Sequence, residues 1–414
     1  MPNTHVFETK MSDRMQVTRY SVPVYAAQAS FEERAKLVDG QSVTRPSVSR
    51  FFDQDYTRGV DMVIPDRTET NETLTVTTAK SVPFAIDDLD ALQSNFKLMN
   101  EYSGRAMRAL NKSIDADYLS EVVSATSSVD ASDFGGAAGA GITVDATNVL
   151  KIFPAANRKL ENLDVMIQGG VDPRAEGGNM KPGGKAGFAN MTPYFKEQLS
   201  YSLSGRETSD GDMIGKNGYS SHYFGFDTFV TTNGYWTGTL TVATQPTDGD
   251  TVTVNGVVFT FKTTLGVTAG NVLIGASADT AATNLAALVN APSVTTVQGV
   301  ALSAANQNLM RRISATAVNA SDVVNFIAKG YPYIVVSETL TAAADIWSLR
   351  ISNNMFGQKG AVDMVVQIKP TVKVSDIPLQ IGNYVKPHTL YGKKTFAEGA
   401  SALVNVKIDS SSWV

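Results

Sequence analysis

The 414-residue chain contains no cysteine, which excludes disulfides, zinc–thiolate centres, iron–sulfur clusters and thiol nucleophiles. It has three histidines, His5, His222 and His388, scattered too widely to suggest a metal site or a catalytic triad. Charge is scarce as well: 18% of residues are Asp, Glu, Lys or Arg, against about 25% in ordinary soluble proteins. With 35 basic and 40 acidic residues the formal charge is −5, which argues against a dedicated nucleic-acid reader with a basic groove. No run approaches about 18 consecutive apolar residues, so no membrane-spanning helix is expected. Residues 1–20 carry Glu8, Lys10, Asp13 and Arg14 and lack the apolar centre of a signal peptide. The expectation is a soluble, cytoplasmically made structural protein of two to four units, at roughly 150 residues each.

No motif carries chemistry. Gly183-Gly184-Lys185 ends like a phosphate-binding loop, but Asn179 stands where the first glycine belongs and Ala186 where Ser or Thr would hold magnesium. Asp133-Phe134-Gly135 has the letters of a kinase tripeptide without the loops or strand lysine that give it meaning. Asp248-Gly249-Asp250 reads as a turn before a strand. Asp87 and Asp88 read as a helix N-terminus, and Asp115 and Asp117 as a solvated helix face. No catalytic, cofactor-binding or metal-ligating residue is assigned, and no enzyme is expected.

What is present is patterning. Residues 1–50 read as an arm with one short helix over 30–38, where Ser30 offers an N-cap and Glu33 closes a capping box. Gly40 stops it, and Arg45-Pro46 forces an extended exit. Over 51–84, Val60, Met62 and Ile64 alternate, then Leu74, Val76 and Thr78, with a polar stretch at 65–72 between them. That predicts a long protruding β-hairpin, too thin to be stable alone and therefore leaning on a neighbouring copy. Asp87-Asp88 opens a helix to about residue 124, its stripe built from Leu89, Leu92, Phe96, Met99, Ala106, Leu110, Ile114 and Val122. Such a rod would run roughly 55 Å.

Residues 126–145 are rich in Ser, Gly and Ala and read as a flexible loop. Helices are predicted from Asp145 or Thr147 to Leu160 and from Thr192-Pro193 to about 203, with a Gly-rich loop between and a strand over 224–232. At about Thr237 the composition shifts. Only six of the 84 residues from 237 to 320 are charged, and 237–296 holds fifteen threonines. Strands are predicted at 239–243, 251–254 and 257–262, the last two joined by an Asn255-Gly256 hairpin turn. A helix at 278–290 and strands at 313–316, 323–328 and 333–337 complete an α+β unit. Charge returns after Asn353-Asn354, read as a turn. Strands follow at 362–368, 372–374, 384–387 and 403–408.

One stretch has a family likeness. Leu74-Thr75-Val76, then Lys80-Ser81-Val82-Pro83-Phe84-Ala85-Ile86-Asp87-Asp88, then a long helix bearing Gln93-Ser94-Asn95-Phe96, Ala109-Leu110-Asn111 and Ile114-Asp115-Ala116-Asp117 resembles the major capsid proteins of tailed double-stranded-DNA bacteriophages. Leu390-Tyr391-Gly392-Lys393-Lys394, Glu398-Gly399-Ala400 and Val404-Asn405-Val406 are similar to that family's last strands. The chain looks most like the podophage-type coat branch, in which an extra domain interrupts the axial domain. The resemblance implies an α+β fold of the Hong-Kong-97 type: N-terminal arm 1–50, extended loop 51–84, peripheral domain with spine helix 85–145, axial domain 146–236 and 353–414, and inserted α+β domain 237–352. It implies an icosahedral shell of hexamers and pentamers of this chain around the phage genome, formed in the host bacterial cytoplasm. Scaffolding, portal and decoration proteins would be partners, with weak non-specific contact to packaged DNA and none to membrane. Some relatives crosslink through Lys and Asn; no motif here maps onto those positions, and no crosslink is expected. The competing reading, a tail-tube subunit or Thr-rich surface adhesin, calls for a mainly β protein without the long helix.

Overall fold

The structure is a computed structural model that describes residues 22–37, 40–48, 53–59, 61–62, 66, 69–88, 98–165, 186–204, 222–318, 322–342, 344–377, 381–411 and 413. In chain order a short helix α1 (Tyr25–Gln28) leads to strands β1 (Ser42–Val48), β2 (Glu69–Thr75), β3 (Thr78–Ser81) and β4 (Phe84–Asp87). Helix α2 (Leu98–Leu119), β5 (Ser127–Val129), α3 (Val149–Glu161), β6 (Gly187–Met191) and α4 (Pro193–Ser204) follow. Next come β7 (His222–Tyr223), β8 (Phe226–Val230), β9 (Tyr235–Thr241), β10 (Thr251–Val254), β11 (Val257–Lys262) and β12 (Asn271–Leu273). Helices α5 (Ala278–Asn290) and α6 (Ala304–Leu309) precede β13 (Ile313–Val318), β14 (Val323–Lys329) and β15 (Val336–Glu338). The chain ends with β16 (Trp347–Gln358), β17 (Asp363–Asp376), β18 (Gly382–Lys394), α7 (Ala397–Ser401) and β19 (Leu403–Asp409).

Contacts divide the chain into two compact units. The first takes residues 32–113 and 364–393, besides 1–22. Its β1 and β2 form an antiparallel ribbon with Ser42 opposite Thr75 and Val48 opposite Glu69. Its sheet centres on β18, which pairs with β17, β3 and β4. Phe84 meets Tyr102 of α2 edge-on at 5.8 Å. In α2 and the 3-10 turn after it, Ala106, Leu110, Ile114, Tyr118 and Val122 are all buried. Their four-residue spacing is the apolar stripe that makes a helix worth burying along one side.

The second unit takes residues 23–31, 114–363 and 394–414 and contains two apolar cores. Strand β16 serves both. It pairs with β9 through residues 347–353 and with β6 through 356–358, while β19 runs along its other edge from 351 to 357. One core gathers Phe153, Phe195, Phe226 and Phe356 with α3, α4 and β19, the rings 5.5–6.3 Å apart around Phe153. The other gathers Trp236, Phe326 and Trp347 with α5 and the sheet β12-β11-β10-β15. Gly238 makes room for Trp236: a Cβ there would lie 2.1 Å from the indole. Asn255 and Gly256 take φ of 52° and 79°, the two left-handed residues that a tight hairpin between twisted strands requires.

Several expectations need correction. Leu74 faces Val43 across the ribbon, so the partner of 69–75 is 42–48, a segment assigned to the arm; Val60, Val63 and Ile64 lie outside the described residues. Residues 69–72, expected in the hairpin tip, are strand. The helix over 30–38 is a single 3-10 turn at Glu32–Ala35, because Ser30 bridges to Asp363 and Glu33 turns to Arg45 and Lys36 instead of a capping box. Residues 126–145 are not a loose loop. The Asp130 carboxylate accepts the N–H groups of Ser132 and Gly139, and Ile142 bridges to Ile408. Asn353 and Asn354 are no turn: both are buried in the middle of β16. Asp87 ends β4 opposite Gly382, and a helix begins at Asp88, where the sequence places its start; residues 89–97 lie outside the described residues.

Candidate assembly surfaces

In the first unit, polar side chains cover most of the β1–β2 ribbon, and Thr44 and Thr73 share a hydroxyl hydrogen bond at 3.0 Å across it. Its base is anchored. The Val76 N–H donates to the Gln41 carbonyl at 2.8 Å, and Leu74 and Val76 are fully sequestered from solvent. Gly392 of β18 passes so close that a Cβ would sit 2.5 Å from the Thr75 carbonyl oxygen. Glu33 is buried between Arg45 of β1, at 2.7 Å, and Lys36, at 3.0 Å; the Arg45 hydrogen bond, then that of Lys36, holds its carboxyl below the usual range. The ribbon is therefore fixed at its root and polar along its length.

The hairpin of β17 and β18 has the opposite character. Its first residues, 363–366, are buried, but every residue from 371 to 376 is exposed. Val372, Val374, Ile381 and Tyr384 show 38–67% of their surface to solvent. Lys386 lies over the Tyr384 ring at 5.4 Å. Among the described strands, β17 pairs with β18 alone. An edge strand with exposed Val, Ile and Tyr is a template for another chain unless something covers it.

In the second unit, the root of the arm is held by buried polar groups. Asp115, on α2, accepts the backbone N–H groups of Val24 at 2.7 Å and Tyr25 at 3.1 Å, and the side-chain amide of Asn233 at 2.7 Å. Gln28 and Asn190 exchange two amide hydrogen bonds at 2.7 and 2.9 Å, both side chains buried. The Ser30 N–H donates to the Val362 carbonyl at 2.9 Å. Burial pushes the Asp115 carboxyl above the usual carboxylate range, against the three hydrogen bonds. Burial, then the charge of Asp115, raises the Tyr118 hydroxyl well above its usual value. Residues 24–30, expected in a loose arm, are pinned by these groups. Asp115, expected on a solvated face, is fully buried.

The remaining acidic groups do structural work. Asp133 pairs with Arg158 and Lys159 at 2.9 and 3.1 Å. Asp248 accepts from Thr263 and Lys262, and Asp250 from Thr247, as the turn reading required. Burial raises the Asp227 carboxyl, but Lys359 and His222 outweigh it and bring it below the usual range. Gly183-Gly184-Lys185 and His5 lie outside the described residues. Among the described residues no three potential ligands gather into a metal site, and no helix is long and apolar enough to cross a membrane.

Comparison with solved structures is decisive for the fold. The chain overlays a chain of Mycobacterium phage Che8 with a TM-score of 0.57 at 13% identity, over 98% of both chains. It overlays the capsid asymmetric unit of cyanophage Pam1 with a TM-score of 0.51 at 12% identity, over 100% of both. The fold is one found in phage capsids. The head structure of Helicobacter pylori bacteriophage KHP40 gives 0.52 at 9% identity, over 98% of this chain and 96% of that one. No protein-family model matches the sequence, and no curated protein does. Identity this low leaves residue-level roles to the geometry above.

That geometry contains two features the residues alone did not announce. Asp115 sits one position from the buried Ile114, and a carboxylate beside a core stripe is the signal that would have found it. The exposed end of β17 lies where the sequence predicts a short strand over 372–374. Its sign was the continued alternation of Val372 and Val374 past the buried part of the strand.

Proposed function

We infer that this chain is the shell-forming subunit of a phage capsid, with an arm, an extended loop, a spine helix and an axial domain on the Hong-Kong-97 plan. The observation that carries this is a fold shared along essentially the whole chain with proteins solved in phage capsid and head structures. Fold likeness alone is an analogy; the two surfaces of the first unit give it a physical mechanism. Residues 53–72 of the loop hold six acidic side chains against Arg58 and Arg67. The exposed stretch of β17 and β18 carries Lys369, Lys373 and Lys386 against Asp376, around its exposed Val, Ile and Tyr. A loop from one copy laid on the hairpin of the next buries that apolar patch and pairs opposite charges. Because the two patches differ, the contact is head-to-tail and closes into rings. Residues 237–352 act as an inserted domain on the outer face, where they do not crowd the DNA. A net negative chain encloses that DNA without gripping it tightly.

The test is negative-stain electron microscopy of the overexpressed chain, alone and with a candidate scaffolding protein. Closed shells, sheets or rings of five and six are expected. A chain that stays monomeric under every assembly condition would sink the reading.

A further inference from the structure

Asp115 is fully buried and, among the described residues, makes no ion pair. Its Oδ1 accepts the N–H groups of Val24 and Tyr25, and its Oδ2 accepts Nδ2 of Asn233. All four residues belong to the second unit. Among the described residues, two buried polar atoms here have no hydrogen-bond partner: Oδ1 of Asn233 and the hydroxyl of Tyr118. A carboxamide whose oxygen is unpaired can turn over by half a revolution without losing an existing acceptor contact for that oxygen. Turned over, Asn233 offers that oxygen to a proton on Asp115 Oδ2, while Asp115 Oδ1 goes on accepting from Val24 and Tyr25. The site thus has a hydrogen-bond scheme for a charged and for a neutral Asp115.

We propose that Asp115 and Asn233 form a proton-operated latch that holds the arm root, residues 23–31, on the second unit and closes more firmly when Asp115 is neutral. Opening the root lets water reach the carboxylate; closing it strips that water away. The raised closed-state affinity for a proton, caused first by burial, has the matching sign. The open state has an ordinary carboxylate value, so a proton favours closure. The latch is firmest below that ordinary value and loosens as pH rises through the higher closed-state value. Among the described residues, the titratable groups whose shifts answer to the charge of Asp115 are Tyr25 from α1 and Tyr118 from its own helix, both shifted upward and so neutral throughout this range. Arg312, which approaches Gly330 beside Ala116, is not among the groups that hold the Asp115 charge. Asp130 and Asp227 are shifted downward and therefore lose stability on acidification, the opposite sign. The latch stands whether or not the chain forms shells.

The test is amide hydrogen exchange, read by mass spectrometry over residues 22–31 of the unassembled full chain, from about pH 8 to about pH 4. Rates are corrected for the intrinsic pH dependence of exchange. In the wild type, protection of 24–30 should rise toward the acid end. Asp115→Asn keeps an acceptor and removes the charge, so its protection should be flat with pH. Asp115→Ala leaves buried N–H groups unpaired and should lose protection on the order of tenfold or more at every pH. Flat wild-type protection, or a wild-type slope retained in Asp115→Asn, overturns the proposal whether or not Asp115→Ala folds; retained protection in a folded Asp115→Ala does so as well.

Discussion

Leu74 decides between two pictures of the extended ribbon. Alternation around it suggests an apolar strand awaiting a neighbour, in which case a polar substitution spares the free subunit. Its side chain is instead fully buried in the unassembled chain, opposite Val43 and beside the close approach of Gly392 to Thr75. Truncating such a leucine costs about 2–5 kcal/mol, and a carboxylate in its place adds the penalty of a buried, unpaired charge. Leu74→Asp should therefore lower the thermal midpoint of the unassembled chain by roughly 10 °C, or leave it insoluble. Differential scanning fluorimetry checks this. An unchanged midpoint with failed assembly would place Leu74 at an interface after all. The residue also marks where sequence reading stops. Period-two alternation shows that Leu74 is buried on one face, but not that its partner lies in 42–48, because pairing across a long connection leaves no local trace.

At the scale of elements, legibility follows the range of the forces involved. Strands β10 and β11 and helix α5 have the bounds that the sequence suggests, since Asn255-Gly256 fixes a turn and a run of Ala and Leu fixes a helix locally. The short helix at 30–38 fails because Ser30 and Glu33 each have a stronger distant partner. Strand β16 hides its buried Asn353 and Asn354 because their amides are satisfied within the sheet: Asn353 Nδ2 donates to the Tyr235 carbonyl and Asn405 Nδ2 to Asn353 Oδ1. The exposed end of the β17–β18 hairpin is the element that separates folding from assembly. Val372 and Val374 lie on one face of β17 and are 38% and 51% exposed, so replacing them removes little from the free subunit. The double variant Val372→Asp, Val374→Asp should move subunit stability by no more than about 0.5 kcal/mol per site while abolishing higher oligomers in sedimentation velocity. Normal assembly by the double variant would show that this hairpin is not a contact.

At the scale of the molecule, the question is whether 237–352 is a domain in its own right. Composition sets its limits at a change in charge density, and a separate apolar core, from Trp236 to Trp347, lies almost within them. The limits themselves fall inside strands, however: residue 237 is in β9 and residue 352 in β16. Cutting there discards Trp236, which is fully buried and packs 6.4 Å from Trp347. It also discards Gly234, whose carbonyl accepts the Gly330 N–H at 2.8 Å. Losing a buried tryptophan costs about 3–5 kcal/mol, a large share of what a domain of this size has to spare. A segment cut at 233–354 keeps β9 whole, both tryptophans and the part of β16 paired with β9, while giving up β19 and β6 along the rest of β16 and the Ser410 partner of the Trp236 indole N–H. Expressed alone, 233–354 should show dispersed amide resonances and a single cooperative unfolding transition, whereas 237–352 should not. If both segments are disordered, the second core depends on the β16 sheet for its stability, and the region is an elaboration of the axial domain rather than an insertion that folds by itself.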